Sequence, residues 1–197
     1  SPPTADSYAS AGTAIEECVP GGAILVPLAL IGEQSGMQLR YESIGLIFID
    51  DKGEIEIGCR LAHEVYALFF EQAENAAQLG IDPDRLAIAG QSAGGGLAAA
   101  CALMARDRGG PSLCFQLLEI PELDDRLETP SMQQFSDTPL WNRPNAVWSW
   151  RHYLGPDHQG EVSPYAAPSR ATDLSGLPPA YVSTMEFDPL WDEGILY

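Results

Sequence analysis

Apolar and polar positions alternate along the chain in blocks, and each block predicts an element. Continuous apolar runs occupy 23–31 (Ala-Ile-Leu-Val-Pro-Leu-Ala-Leu-Ile) and 44–49 (Ile-Gly-Leu-Ile-Phe-Ile), the second ending at Asp50-Asp51-Lys52-Gly53. Such runs suit strands buried on both faces, with Pro27 weakening the first. From Leu61 the spacing changes: Leu61, Val65, Leu68, Phe69, Ala76 and Leu79 share one stripe of a helix that Gly80 stops. Ile81-Asp82-Pro83-Asp84 then turns into a short buried strand, Arg85-Leu-Ala-Ile-Ala89, which breaks at Gly90-Gln91-Ser92-Ala93-Gly94 and passes into an alanine-rich helix ended by Arg106 to Pro111.

The alternation continues downstream. Leu113 to Ile120 reads as another strand, Pro121 to Pro144 is polar and punctuated by prolines, and Asn145 to Leu154 is an aromatic-rich helix closed by Gly155-Pro156. A proline- and serine-rich loop over 163–180 leads to a strand, Pro179 to Met185, which runs into Glu186-Phe-Asp-Pro-Leu-Trp-Asp-Glu-Gly194. Helix and strand in turn predict an α/β protein: a mainly parallel sheet with helices on both faces and functional residues at the carboxyl ends of strands. Residues 1–197 are expected to form a single domain, with 121–160 an insertion covering the site.

Composition narrows the function classes. The formal net charge of −18 argues against nucleic acid or an anionic membrane as the main partner, and a neutral or cationic small molecule fits better. Much of that acidity serves solubility. No apolar run is long enough to span a membrane, and Ser1-Pro-Pro-Thr-Ala-Asp6 has neither the basic start nor the apolar stretch of a secretory signal. Cys18, Cys59, Cys101 and Cys114 form no C-x-x-C pair and read as reduced thiols of a cytoplasmic protein. No metal-ligand cluster or nucleotide loop is visible, so no metal and no cofactor is expected.

The candidate chemistry lies at Gly90 to Gly94. In a strand–turn–helix context, G-x-S-x-G places a serine on a sharp turn where the backbone crowds itself, and Gly90 and Gly94 supply the room. Ser92 is the candidate nucleophile, and the Ala93 amide at the helix N-terminus is aimed to stabilise an oxyanion. The alternative is a glycine-rich turn of an ordinary α/β domain, or one that cradles a phosphate. The run lacks the P-loop lysine and the G-x-G-x-x-G spacing of those sites.

Gly90-Gln-Ser-Ala-Gly-Gly-Gly96, followed by Asp188-Pro-Leu-Trp-Asp-Glu-Gly194, resembles the hormone-sensitive lipase-like branch of the α/β-hydrolases. Leu118-Glu-Ile-Pro-Glu-Leu-Asp-Asp-Arg-Leu-Glu-Thr129, Asp137-Thr-Pro-Leu-Trp141 and Tyr165-Ala-Ala-Pro-Ser-Arg-Ala-Thr-Asp173 are similar to the bacterial heroin esterase type within it. The resemblance runs from about Glu74 to Tyr197 and is poor before that.

It implies a three-layer α/β-hydrolase sandwich and hydrolysis of short-chain, acetyl-type esters through an acyl-enzyme. Ser92 matches the nucleophile, Asp188 the acid that orients the histidine, and Ala93 one oxyanion amide. Gly21 and Gly22 are the candidates for the rest of the oxyanion hole, while Gln91 and Trp141 are candidates for substrate binding. Asp188 before Pro189 also reads as a helix cap.

Two parts of the family pattern are absent. No histidine follows Asp188 before Tyr197, and Val19-Pro-Gly-Gly-Ala23 stands where a His-Gly-Gly-Gly motif is expected. The sandwich is therefore expected to lack its last strand and helix. His63, His152 and His158 read as helix-end or surface residues, with His152 the nearest to a substitute. The alternative function is a truncated, non-catalytic binding or scaffold domain of the same fold, and the exposed sheet edge would invite a homo-oligomer.

Overall fold

The computed structural model describes the backbone at 23–25, 31–34 and 37–40, residues 66, 67, 70, 71, 73–75 and 84, and then residues 86–155 and 157–197. Of the first apolar run, Ala23–Leu25 form β1 and Ile31 opens β2 (Ile31–Gln34), which pairs antiparallel with β3 (Met37–Arg40). Pro27, which has no amide to donate to a ladder, falls in the interval between them. The 44–49 run lies outside the described residues. Of the helix expected from Leu61, residues 66, 67, 70, 71, 73 and 74 are described, and they are helical.

β4 (Leu86–Gln91) is buried along its length except at Gln91, as a strand covered on both faces should be. Next come α1 (Ala93–Arg108) and β5 (Leu113–Glu119). α2 (Pro130–Gln134), which the polar pattern of 121–144 does not announce, starts from the Thr129 cap with Pro130 in its first turn. α3 (Arg143–Leu154) begins two residues before the expected Asn145, because the Asn142 side chain caps it by accepting the Asn145 amide at 3.1 Å. β6 (Ala180–Ser183) and α4 (Trp191–Leu196) complete the described elements.

The strands form a parallel sheet in the order β1-β4-β5-β6, with Ala23 opposite Leu86, Gln91 opposite Glu119 and Glu119 opposite Ser183. The α/β expectation holds. α1 is buried over Gly94–Ala105, and its small residues let it lie close against the sheet. Its Leu97, Cys101 and Met104 join Ile88, Leu118 and Leu123 in one core. Each such aliphatic side chain contributes roughly 1.5–3 kcal/mol on full burial. Gly109, in the left-handed conformation at φ 59°, ends the helix. A second core beneath α2 and α3 gathers Leu127, Met132, Ala146, Trp150, Val162, Ala167 and Leu190.

Candidate active site

Three neighbouring parallel strands end on the same side, so their following residues meet there. β4 delivers Gln91-Ser92, β5 delivers Ile120-Pro121-Glu122, and β6 leads to Asp188. Ser92 sits at φ 55°, ψ −123°, a conformation that a non-glycine residue adopts only under constraint. The constraint is visible in its hydrogen bonds. Its N–H donates to the Glu119 carbonyl at 2.9 Å, and its carbonyl accepts from both Gly96 N at 3.1 Å and Glu122 N at 3.0 Å. Although Ser92 precedes α1, its side chain does not cap the helix, as a serine there usually does.

The turn is tight enough to exclude a side chain at Gly90. A Cβ there would overlap the Gly94 carbonyl and lie 2.8 Å from the Gly95 nitrogen. A Cβ on Gly96 would overlap the Glu122 carbonyl, and one on Gly95 would stand 2.9 Å from Pro121 Cβ. The glycine run therefore serves a second close approach besides the turn, that of the Pro121-Glu122 segment onto the start of α1. Ala93 lies in the first turn of α1, where backbone N–H groups have no partner inside the helix.

Asp188 is half-buried in the turn between β6 and α4. Its carboxylate accepts the Leu190 N–H at 2.8 Å, and its carbonyl accepts Trp191 N at 3.1 Å. Burial raises its pKa above the ordinary aspartate value, and the Leu190 bond partly counters that rise. Leu190, rather than Asp188, stands at the α4 cap position, so the aspartate organises the turn that precedes the helix.

Of the remaining predicted residues, Gln91 is exposed at the end of β4. Trp141 is half-buried and packs against the second core. Gly21, Gly22 and His63 lie outside the described residues. His152 stacks on Trp148 with ring centroids 5.6 Å apart, and the exposed His158 has its Nε2 3.1 Å from the Gly160 carbonyl. Among the described contacts, neither histidine meets Ser92 or Asp188. Cys101 is buried, and desolvation pushes its thiol up to about 12, which makes it inert.

The structure adds acidic residues that the sequence pattern leaves without a role. Glu122, next to the elbow, is 6% exposed. Its Oε2 lies 3.4 Å from the Ser149 hydroxyl of α3, and its Oε1 has no partner. Burial pushes this carboxyl up to about 7. Glu193 is 1% exposed; its Oε1 accepts the Leu123 N–H at 2.6 Å and its Oε2 has no partner. Burial, reinforced by the charges of Glu122 and Asp124 and countered by the backbone amides of Leu123 and Asp124, pushes it up to about 9. Asp192 exchanges bonds with Ser131: its carboxylate accepts Ser131 N at 2.7 Å, and Ser131 Oγ accepts Asp192 N at 3.0 Å. The only sequence signal for these roles is the Asp-Glu pair inside Asp188–Gly194.

Comparison with known proteins gives the family. A solved bacterial heroin esterase is 62% identical, with a TM-score of 0.67 over 68% of this chain and 44% of that one. A thermostable esterase from Pseudomonas putida is 43% identical, with a TM-score of 0.65 over 69% of this chain and 43% of its own. The carboxylesterase NlhH of Mycobacterium tuberculosis is 46% identical over 128 residues, 63% of this chain and 40% of the relative. The chain thus spans about two fifths of the length of the curated relatives it matches. The family model described as alpha/beta hydrolase fold matches residues 60–197, well over half of the sequence, and the chain therefore belongs to the alpha/beta hydrolase family.

Proposed function

We propose that this chain carries the nucleophile and acid of a serine carboxylesterase that acts on short-chain, acetyl-type esters. The observation behind this reading is the backbone of Ser92, held at φ 55° between a parallel strand and a helix with no room for a side chain at Gly90. A strained non-glycine residue at the carboxyl end of a central strand is what presentation of a nucleophile requires. Several relatives are named esterases or carboxylesterases, and one is named an ethyl acetate hydrolase.

In the reaction, Ser92 Oγ attacks the ester carbonyl carbon while a base takes its proton. The carbonyl oxygen becomes an oxyanion on the Ala93 N–H, with Gly21 and Gly22 assigned to the same role. The tetrahedral intermediate expels the alcohol, which leaves with the proton, and water then releases the acid from the acyl-enzyme. A histidine oriented by Asp188 is the assigned base, and no cofactor is required. Gln91 and Trp141 are assigned to substrate contact, within a single domain over 1–197 in which 121–160 covers the site.

The reading also takes the ester to be a small molecule, the protein to be cytoplasmic, and its sheet edge to favour a homo-oligomer. No helix among the described residues is long and apolar enough to cross a membrane. The test is p-nitrophenyl acetate hydrolysis by the chain and by Ser92→Ala over a range of protein concentrations. Hydrolysis lost in the variant supports the assignment, and a steep rise in specific activity with concentration points to a base supplied by a partner subunit. Equal rates overturn the catalytic reading and leave a non-catalytic binding domain.

A further inference from the structure

Two adjacent backbone amides tie the elbow to the helix that follows Asp188. Glu122 N donates to the Ser92 carbonyl, and the next amide, Leu123 N, donates to Glu193 Oε1 of α4 at 2.6 Å. The intervening turn cannot slide, because Pro121 and the Glu122 carbonyl press on Gly95 and Gly96 with no space for a Cβ. On the α4 side, Gly194 packs so closely that a Cβ there would stand 2.7 Å from Thr184 Cγ2, and Asp192 is locked to Ser131. Among the described residues, Glu193 is thus the side chain seen to bond α4 to the turn resting on Ser92.

A buried carboxyl is an expensive way to satisfy the backbone amides of this turn, since Oε2 is left without a partner and an apolar residue of similar size would be cheaper to bury. The expense has a return only if the position of the Leu123 amide matters. We propose that Glu193 is a positioning residue: its hydrogen bond to Leu123 clamps the Pro121–Leu123 turn onto the Ser92 carbonyl and so fixes the nucleophile relative to the Asp188 turn. The functional half of this inference rests on the reading of Ser92 as a nucleophile. The clamp itself does not.

The experiment has two readouts on the same samples, for the parent chain, Glu193→Ala and Glu193→Gln. Amide hydrogen exchange is followed at Glu122 and Leu123, with Gly110, bonded to Ala105 at the far end of α1, as the internal reference. Ser92 reactivity is read as the rate of labelling by a fluorophosphonate, in which an Oγ–P bond forms, fluoride leaves and the serine proton passes to solvent.

Glu193→Ala is expected to speed exchange at Glu122 and Leu123 by about ten-fold relative to Gly110 and to slow labelling by a similar factor, the equivalent of one buried hydrogen bond. Glu193→Gln keeps the acceptor oxygen and restores both. A merely structural role would speed Gly110 along with the other two, and that result overturns the proposal, as does unchanged exchange at Glu122. Should Glu193→Ala fail to fold, protection lost in Glu193→Gln overturns it equally. No labelling of the parent chain removes the serine reading and with it the functional half, while the exchange data still decide the clamp.

Discussion

Replacing Glu122 by glutamine should make the protein's stability less sensitive to pH, and the size of the effect follows from the site. The folded chain holds this carboxyl at about 7, against 4.5 for an ordinary glutamate, mainly because burial penalises the charged form. The groups facing it are the Ser149 hydroxyl from α3 and, electrostatically, Glu193 from α4; among the described residues no cation is paired with it. The folded-state pKa is raised, so the folded chain keeps a proton that the unfolded chain has lost. Its stabilising effect is complete below pH 4.5 and is lost as pH rises to 7. Each unit within that window costs about 1.4 kcal/mol, so between pH 5 and pH 8 the parent chain loses on the order of 3 kcal/mol through this group. That is a large share of the roughly 5–15 kcal/mol that holds a domain folded.

Glutamine has no proton to lose, and its side-chain oxygen can still accept from Ser149. Urea unfolding followed by tryptophan fluorescence at pH 5 and at pH 8 gives the comparison. The stability difference between Glu122→Gln and the parent should move in favour of the variant by about 3 kcal/mol across that interval. Parallel pH curves, offset by a constant, would refute the argument, as would a parent chain that gains stability relative to the variant. Glu193 acts in the same direction over the wider range from 4.5 to about 9, so Glu193→Gln should flatten the remaining slope above pH 7 where Glu122→Gln does not.

Other expectations concern the backbone of the elbow and its supports. Ser92→Gly should remove the strain of φ 55° and stabilise the fold by roughly 1 kcal/mol in urea, while abolishing serine labelling. Gly90→Ala should destabilise by about 1–3 kcal/mol or more, because its methyl overlaps the Gly94 carbonyl; an unchanged unfolding midpoint would contradict the close approach. Ser131→Ala removes the acceptor for Asp192 N and the donor to the Pro189 carbonyl, and thermal unfolding should register a loss of about 1–3 kcal/mol.

Much of the sheet and the elbow is legible in the sequence because both are written in local terms. A strand covered on both faces needs an unbroken apolar run, as Leu86 to Ala89 provides, and a sharp turn into a helix needs small residues, as Gly90 and Gly94 to Gly96 provide. Elements set by distant partners are not legible in this way. α2 is a five-residue helix in a polar segment, and what holds it is Ser131 reaching Pro189 and Asp192 some sixty residues away. β2 and β3 escape notice because Ile31 belongs by composition to the preceding apolar run, although its pairing partner is Arg40. Glu122 and Glu193 look like surface acids in a chain with 28 of them, and only the packing of α3 and α4 buries them.

The distribution of these costs carries its own argument. Ser92 at φ 55°, Ile120 at φ 38° and the unpartnered oxygens of Glu122 and Glu193 belong to the carboxyl ends of β4 to β6 and the segments packed on them, while Leu127 and Leu140 at positive φ and the unpartnered polar atoms of Gln116, Trp141, Trp150 and Tyr197 lie elsewhere among the described residues. Ile120 is the most telling. A β-branched side chain in the left-handed region is strongly disfavoured, yet its N–H is held by the Ser183 carbonyl at 2.9 Å, so the strain is imposed by the join between β5 and β6. At the amino end of β4, Leu86, Ala87 and Ile88 are buried apolar residues that carry neither feature. Strain and unmet polar groups persist in folded proteins where the surrounding structure over-determines them, and such places concentrate at sites that act on ligands. The supports found here are the doubly bonded Ser92 carbonyl, the Leu123–Glu193 bond and the reciprocal Ser131–Asp192 pair. They are what such over-determination consists of, and they hold the backbone of Ser92 at its positive φ.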